Sequence, residues 1–467
     1  MYLKYFYDKQ LAQASYMVGC QKTGEAAVID PSRQVQEYLN IAEEQGFKIT
    51  SALETHIHAD YVSGSRELQD RTGAVVYHSA EGAENGGYEF PSGVKTKGVK
   101  EGDRIDVGNT WMEVLHTPGH TPEHIAFQLT DGANPDKPIG IFTGDFVFVG
   151  DVGRPDLLEK SAGVKDSAET GAKQMFASLE KFKQKDDYLQ IWPGHGAGSS
   201  CGKALGAVPT STVGYEKMFN PALQYDKEKD FIEFLLDGQP EPPSYFGNMK
   251  EINKGKVPLL STLDTPVRYS LKPEQIEDLA SRKKTMVIDT RAPAVYAGGS
   301  VEGTLNIALS GPFLEWMGWL ADYEAELYFI ADEADHEEIF ENVTRIGLDN
   351  VKGFITPDAL KGSSRLRKYE NVSADELDSE DDIQIADVRF DDEWNEKHIP
   401  GAAHIKLNEL AERAGDELKK DKPVAVHCET GVRSAIGASI LLNEGFEVKN
   451  LQYGFQEWKQ EKKKVTS

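Results

Sequence analysis

Cysteine is scarce in this 467-residue sequence: Cys20, Cys201 and Cys428 stand far apart and offer no disulfide framework. A reducing cytoplasm is the expected setting, and each thiol has to be judged by its surroundings. Positive charge is also in short supply, 51 Lys+Arg against 77 Asp+Glu, for a net charge of −26. A chain this acidic repels phosphate backbones and anionic lipid, which argues against nucleic acid or a membrane as partner. No apolar run approaches the ~18 residues of a membrane span. The opening MYLKYFYDKQ lacks the apolar core and cleavage site of a secretory signal. What is present is 39% hydrophobic residues with Gly and Pro throughout, the composition of a globular protein with sizeable cores. At roughly 100–200 residues per domain, two to four domains are expected.

Up to about residue 245, short β-rich runs alternate with polar helical patterns. The runs are Ala26–Ile29, Ala74–Tyr77, Trp111–Leu115, Ile139–Phe142 and Leu189–Trp192; the helical patterns include Val35–Gln45 and Ala168–Lys183. This is α/β or αββα material. The Pro-rich stretch from Gly238 to Ser244 then marks a domain edge. Beyond it the chain repeats itself. Asp289/Asp387, Arg291/Arg389, Tyr296/Trp394, Gly303/Gly401, Ile307/Ile405 and Gly347/Gly445 all differ by 98 positions. Two copies of one small α/β domain are expected, joined around the acidic stretch Ala374–Asp382, each with a small, mostly parallel sheet. The expected domains are residues 1–250, 251–370 and 371–467.

Four strand-like runs in the first domain end in an imidazole or a carboxylate. Thr55-His-Ile-His-Ala-Asp60, His116-Thr-Pro-Gly-His120, Thr143-Gly-Asp145 and Pro193-Gly-His195 each follow one of them, where α/β sheets gather their sites. One such histidine is ordinary loop chemistry. Four together point to a metal, and imidazole with carboxylate suits zinc or non-haem iron. The series H-x-H-x-D, T-P-G-H-T, G-D and P-G-H resembles the metallo-β-lactamase superfamily, which implies an αββα sandwich. Tyr61 stands where that superfamily's motif places a histidine. A neutral phenol replaces imidazole poorly, which favours a mononuclear site over a two-zinc hydrolase.

Gly150-Asp-Val-Gly-Arg-Pro-Asp-Leu157 and the run from Gly194 to Gly206 are similar to the persulfide dioxygenases, which use one Fe(II). That resemblance implies His56, His120 and Asp145 as the iron ligands, leaving positions open for O₂ and a thiol persulfide. It leaves His58, Asp60, Tyr61 and His195 to orient ligands or move protons. His116 and His124 are read as structural, and Arg154 as a contact to an anionic thiol or to sulfite. The segment from Ala197 to Lys203 nearly matches a phosphate-binding loop, but Ala204 stands where a Mg²⁺-binding hydroxyl belongs. Cys201 in that segment has two readings: a partly exposed thiol made acidic by Lys203 and able to accept sulfane sulfur, or a packing residue. Cys20 is read as structural.

In the last domain Val424-Ala-Val-His-Cys428 reads as a strand ending in cysteine. Glu429, Thr430, Gly431 and Val432 form a loop whose backbone N–H groups would cradle an anionic sulfur or substrate. Arg433 adds positive charge and a helix follows. With four residues between Cys428 and Arg433 the loop is one shorter than that of cysteine phosphatases. Together with Asp387-x-Arg389, His398-Ile-Pro-Gly401 and Tyr453-Gly-Phe-x-x-Trp458 it resembles a rhodanese (sulfurtransferase) domain. In the earlier copy Ile330 or Ala331 falls opposite Cys428, so the central domain is expected to be an inactive rhodanese fold.

The two resemblances together imply a bifunctional enzyme. Persulfide and O₂ would give sulfite at the first site, and Cys428 would pass sulfane sulfur to sulfite to make thiosulfate. A zinc thioester hydrolase of the glyoxalase II type fused to a sulfurtransferase is a second reading. A persulfide sensor or sulfur carrier without turnover is a third. The resemblance also implies a homo-oligomer.

Overall fold

Six strands, taken in chain order, build the first sheet: β1 (Tyr2–Asp8), β2 (Gln13–Cys20), β3 (Glu25–Ile29), β4 (Lys48–Leu53), β5 (Val75–Ser79) and β6 (Thr96–Val99). The first two pairings are antiparallel and the rest parallel. A second six-stranded sheet follows, β7 (Arg104–Val107), β8 (Thr110–His116), β9 (Ile125–Asp131), β10 (Gly140–Gly144), β11 (Gln190–Pro193) and β12 (Ser211–Thr212). The coordinates are a computed structural model describing residues 1–82, 87–163 and 165–466.

The period-2 alternation of side chains explains how the layers assemble. In β2, Tyr16 and Val18 face the second sheet and join Phe127, Phe142 and Trp192 in one core. Met17 between them points outward and packs with Val35, Tyr38 and Ala42, on and beside the helix Gln36–Gln45. On the other side, Ile141 and Ile191 alternate with Phe142 and Trp192. They pack against Ala172, Met175 and Leu179 of the helix Ser167–Phe182. The result is helix, sheet, sheet, helix.

The chain divides into two units: Met1–Leu263 with Glu341–Gly347, and Asp264–Phe340 with Leu348–Ser467. The second unit holds two parallel sheets of identical plan. One joins β13 (Val267–Tyr269), β14 (Thr285–Asp289), β15 (Thr304–Asn306), β16 (Glu326–Ile330) and β17 (Val351–Ile355) in the order β13-β17-β16-β14-β15. The other joins β18 (Glu370–Val372), β19 (Gln384–Asp387), β20 (Ala403–His404), β21 (Val424–His427) and β22 (Val448–Leu451) in the order β18-β22-β21-β19-β20. The 98-residue repeat is thus a repeat of topology. The acidic stretch Ala374–Asp382 lies inside the last sheet's domain, because β18 precedes it. It begins with the helix Ala374–Asp378, where Ser373 and Glu376 form a capping box.

Candidate functional site

In the first unit, strands β4, β8, β10 and β11 bring their C-terminal loops together. Potential ligand atoms of His56, His120 and Asp145 lie within 4.8 Å of one another, and all three residues are buried. His56 Nε2 is 3.8 Å and His120 Nε2 is 3.6 Å from Asp145 Oδ2. Asp145 Oδ2 has no hydrogen-bond partner among the described residues. A buried carboxylate oxygen without a donor is costly unless a cation meets it.

Neighbouring residues fix both imidazoles in the form a metal requires. Thr55 Oγ1 donates to Asp30 Oδ2 at 2.9 Å and lies 2.9 Å from His56 Nδ1, so it accepts the Nδ1 proton. His120 Nδ1 lies 2.9 Å from the carbonyl oxygen of Arg154, which can only accept. Both Nε2 lone pairs are therefore free. Burial keeps both rings neutral, holding His56 well below the usual histidine pKa and lowering His120. Two neutral imidazoles and one carboxylate fit a divalent cation. Thr55→Val is expected to weaken metal binding about 10–100-fold, read by competition with a chelator.

The other oxygen of Asp145 is also held. His195 Nδ1 is 2.7 Å from Asp145 Oδ1, and its Nε2 is 2.7 Å from Asp60 Oδ2. Burial disfavours the imidazolium, but the two carboxylates outweigh it and raise the His195 pKa to about 10. Gly194 permits this approach, since a Cβ there would stand 2.7 Å from Asp145 Oδ1. His124, read from sequence as structural, supports the site directly. Its Nε2 accepts from the Asp145 N–H at 3.1 Å, while Nδ1 bonds Thr117 Oγ1 at 2.8 Å. His116 is 3.0 Å from the Pro122 carbonyl and stays outside the cluster.

His58 does not join the three ligands. Its Nε2 lies 3.2 Å from Asp30 and 3.3 Å from Glu54, whose carboxylate also accepts from Ser63 and Ser65. Tyr61 is buried, with its hydroxyl 3.3 Å from the Asp30 carbonyl. Thr55 is the contact that sequence reading missed. Its place beside the H-x-H motif was the available signal.

One expected role changes, that of Arg154, and one open reading narrows, that of Cys201. Arg154 is wholly buried and bonds Asp156 through Nε and Nη2 at 2.8 and 2.7 Å. It also donates to the Ser200 and Pro240 carbonyls. It is a structural clamp whose own carbonyl orients His120, and it presents nothing to substrate. Arg154→Met is expected to cost about 3 kcal/mol of stability in denaturant unfolding, because it leaves Asp156 with Lys160 alone. Cys201 is 2% exposed. Burial, with Asp145 and Asp60 adding, pushes its thiol well above the usual range. Lys203 turns away and bonds the Asp237 carbonyl. The structure favours the packing reading, although Cys201, Asp60 and His195 also lie within 4.8 Å of one another.

In the second unit β21 ends at His427, and Cys428 opens the loop to the helix Val432–Asn443. The Gly431 N–H donates to Cys428 Sγ at 3.1 Å. Gly431 has φ 97°, and a Cβ there would meet the Gln452 carbonyl at 2.0 Å; only glycine allows this turn. Arg433 does not spend its charge on the sulfur alone, since it makes a bidentate pair with Glu393 at 2.6 Å on both arms. Glu429 pairs with Arg389 at 3.1 Å and Lys459 at 2.8 Å, so its carboxylate braces the loop. Thr430, Gly431 and Val432 line a cavity of about 380 Å³, together with Ile307, Phe313 and Trp316 of the earlier repeat. In that repeat β14 aligns Asp289 with Ile330, as β19 aligns Asp387 with His427. Ala331 therefore occupies the place of Cys428, and this copy has no cysteine.

Comparisons with known proteins identify the two kinds of domain in which these residues lie. Residues 9–195 match the metallo-beta-lactamase superfamily and residues 371–461 the rhodanese-like domain. The chain belongs to the metallo-β-lactamase superfamily through its first unit and carries a rhodanese-like domain at its C-terminal end. It is similar to a crystal structure of a metallo-beta-lactamase from Staphylococcus aureus subsp. aureus COL. Identity is 47% and the TM-score 0.68, over 76% of this chain and 99% of that one. Among curated proteins it is 35% identical to a hydroxyacylglutathione hydrolase from Rhodospirillum rubrum, over 38% of this chain. It is 33% identical to one from Polaromonas sp., over 39% of this chain. The matches span 60% and 61% of those two proteins. Among the described residues no helix is long and apolar enough to cross a membrane.

Proposed function

We propose that the first unit binds one Fe(II) and oxidises a low-molecular-weight thiol persulfide with O₂, and that Cys428 converts the product onward. The first reaction is RSSH + O₂ + H₂O → RSH + H₂SO₃. In the second, Cys428 takes sulfane sulfur from another RSSH and passes it to sulfite, giving thiosulfate and RSH. The observation that carries this reading is the set of two neutral imidazoles and one carboxylate, with His58 withdrawn to Asp30 and Glu54.

Iron bound there would supply the one-electron chemistry by which O₂ reacts with a closed-shell sulfur. The chain's own residues keep the centre ready. Thr55 and the Arg154 carbonyl aim the two Nε2 atoms, and Asp60 holds Asp145 through His195. In the sulfurtransferase loop the Gly431 N–H and the following helix N-terminus stabilise negative charge on Cys428.

A two-zinc thioester hydrolase is the competing reading, supported by the names of the curated relatives and by the Asp60, His195 and Cys201 cluster. Metal analysis combined with an oxygen electrode separates them. Iron-loaded protein should consume one O₂ for each sulfite or thiosulfate formed. Two zincs per chain with no persulfide-dependent uptake would establish the hydrolase instead, and stoichiometric persulfidation without turnover would establish a sulfur carrier.

A further inference from the structure

The stretch 57–63, which carries the second half of the H-x-H-x-D motif, is buried along its whole length and belongs to no helix or strand. Buried backbone N–H and C=O groups need partners, and here several come from outside the two sheets. Asn253, in the turn Ile252–Lys256 that follows the helix Phe246–Glu251, supplies three. Its Nδ2 donates to the His58 carbonyl at 2.8 Å and to the Tyr61 carbonyl at 2.6 Å. Its Oδ1 accepts from the Ser63 N–H at 2.9 Å. Tyr245 adds a fourth contact, its hydroxyl donating to the Asp60 carbonyl at 3.1 Å.

These partners dictate the side chain. Two carbonyls only accept and one N–H only donates, so together they require two donors and one acceptor on a single short side chain. Asparagine has that set; aspartate has the acceptor alone, and leucine has neither. Asn253 is 4% exposed, so bulk water cannot take its place.

Asp60 lies inside the clamped stretch. Its Oδ2 is 2.7 Å from His195 Nε2, and His195 Nδ1 is 2.7 Å from Asp145 Oδ1. The other Asp145 oxygen, Oδ2, is the one without a hydrogen-bond partner and the one that His56 and His120 both approach. A shift of the loop backbone therefore passes through two short contacts to the carboxylate that meets the cation.

We propose that Asn253 is a positioning residue of the metal centre: it holds the 58–63 loop so that Asp60, through His195, keeps Asp145 aimed at the ion. The inference rests on metal binding at His56, His120 and Asp145, and it is independent of which metal and which substrate the site takes.

The test uses the full chain as wild type, Asn253→Asp and Asn253→Leu. Leu235→Ala, a core truncation in the helical layer that packs on the second sheet, is the control. Asp keeps the Ser63 contact and loses both donors, while Leu loses all three contacts at similar volume. The two differ in charge, so an effect they share belongs to the lost donors. Metal-stripped protein is reloaded with Co(II), whose visible absorption reports the number and arrangement of its ligands. Both Asn253 variants should shift the bands and weaken Co(II) binding about tenfold in chelator competition. With iron restored, kcat should fall about tenfold while KM stays within about twofold. Leu235→Ala should keep the wild-type spectrum and affinity. Faster hydrogen exchange at the Ser63 amide, with other protected amides unchanged, reads release of the loop in a folded chain. Should Asn253→Leu not fold, Asn253→Asp carries the same comparison. A released loop with wild-type spectrum and affinity would overturn the proposal, as would equal changes in Leu235→Ala. The dioxygenase reading fails separately. Asn253-dependent Co(II) spectra without persulfide-driven oxygen uptake would sink that reading and keep the clamp, and oxygen uptake with spectra indifferent to Asn253 would do the reverse.

Discussion

Replacing His120 by alanine is expected to cut persulfide-dependent oxygen uptake at least ~100-fold, with the bound iron lost. Residues that merely orient a ligand are worth about 10–100-fold in metal affinity or activity, and removing a donor atom must exceed that. His120 provides one of three donors, and nothing adjacent can replace it. His124 is turned to the Asp145 amide and Thr117, while His58 is held by Asp30 and Glu54. The substitution also leaves the Arg154 carbonyl without its donor, at about 1–3 kcal/mol. That loss is too small to unfold a domain of ordinary stability. An internal control is available because Cys428 lies in the other unit. Sulfur transfer from persulfide to added sulfite should persist in His120→Ala. Loss of both activities would signal unfolding, and full oxygen uptake without His120 would remove the proposed centre.

That His56, His120 and Asp145 come together was legible in the sequence because each lies within a few residues of the end of an apolar run, and a strand end fixes where its loop emerges. The repeat was legible for a similar reason, since Asp289–Arg291 and Asp387–Arg389 make the same local ion pair in both copies, at 2.6 and 2.7 Å. Contacts between distant segments were not. Lys203 is two residues from Cys201, yet its ammonium reaches the Asp237 carbonyl, because sequence adjacency says nothing of side-chain direction. Arg154 looked like an anion receptor until burial against Asp156 and two carbonyls showed its charge already neutralised. The partner of Arg433, Glu393, lies 40 residues upstream and gave no local signal. The supporting role of His124 needed the fold as well, since it depends on meeting the Asp145 amide at a neighbouring strand end.

Cys428→Ser should abolish thiosulfate formation while oxygen uptake stays within about twofold of wild type, so that sulfite accumulates in its place. A serine hydroxyl fits the same loop and keeps the Gly431 contact, so the fold is preserved. It cannot form the S–S bond that stores sulfane sulfur, and its oxygen is far less readily ionised than a thiol. The environment leaves the sulfur as the indispensable part. Glu393 shares the charge of Arg433, and Glu429 is engaged by Arg389 and Lys459. The loop therefore offers the Gly431 N–H and a helix N-terminus, which hold an anion but transfer nothing. The central repeat cannot substitute, since Ala331 occupies the equivalent position. Ion chromatography of sulfite and thiosulfate beside the oxygen trace reads the outcome. Thiosulfate made at the wild-type rate by Cys428→Ser would move sulfur transfer to another thiol. Cys201 would then be the first to test, since it lies in the metal-bearing unit and within 4.8 Å of His195 and Asp60.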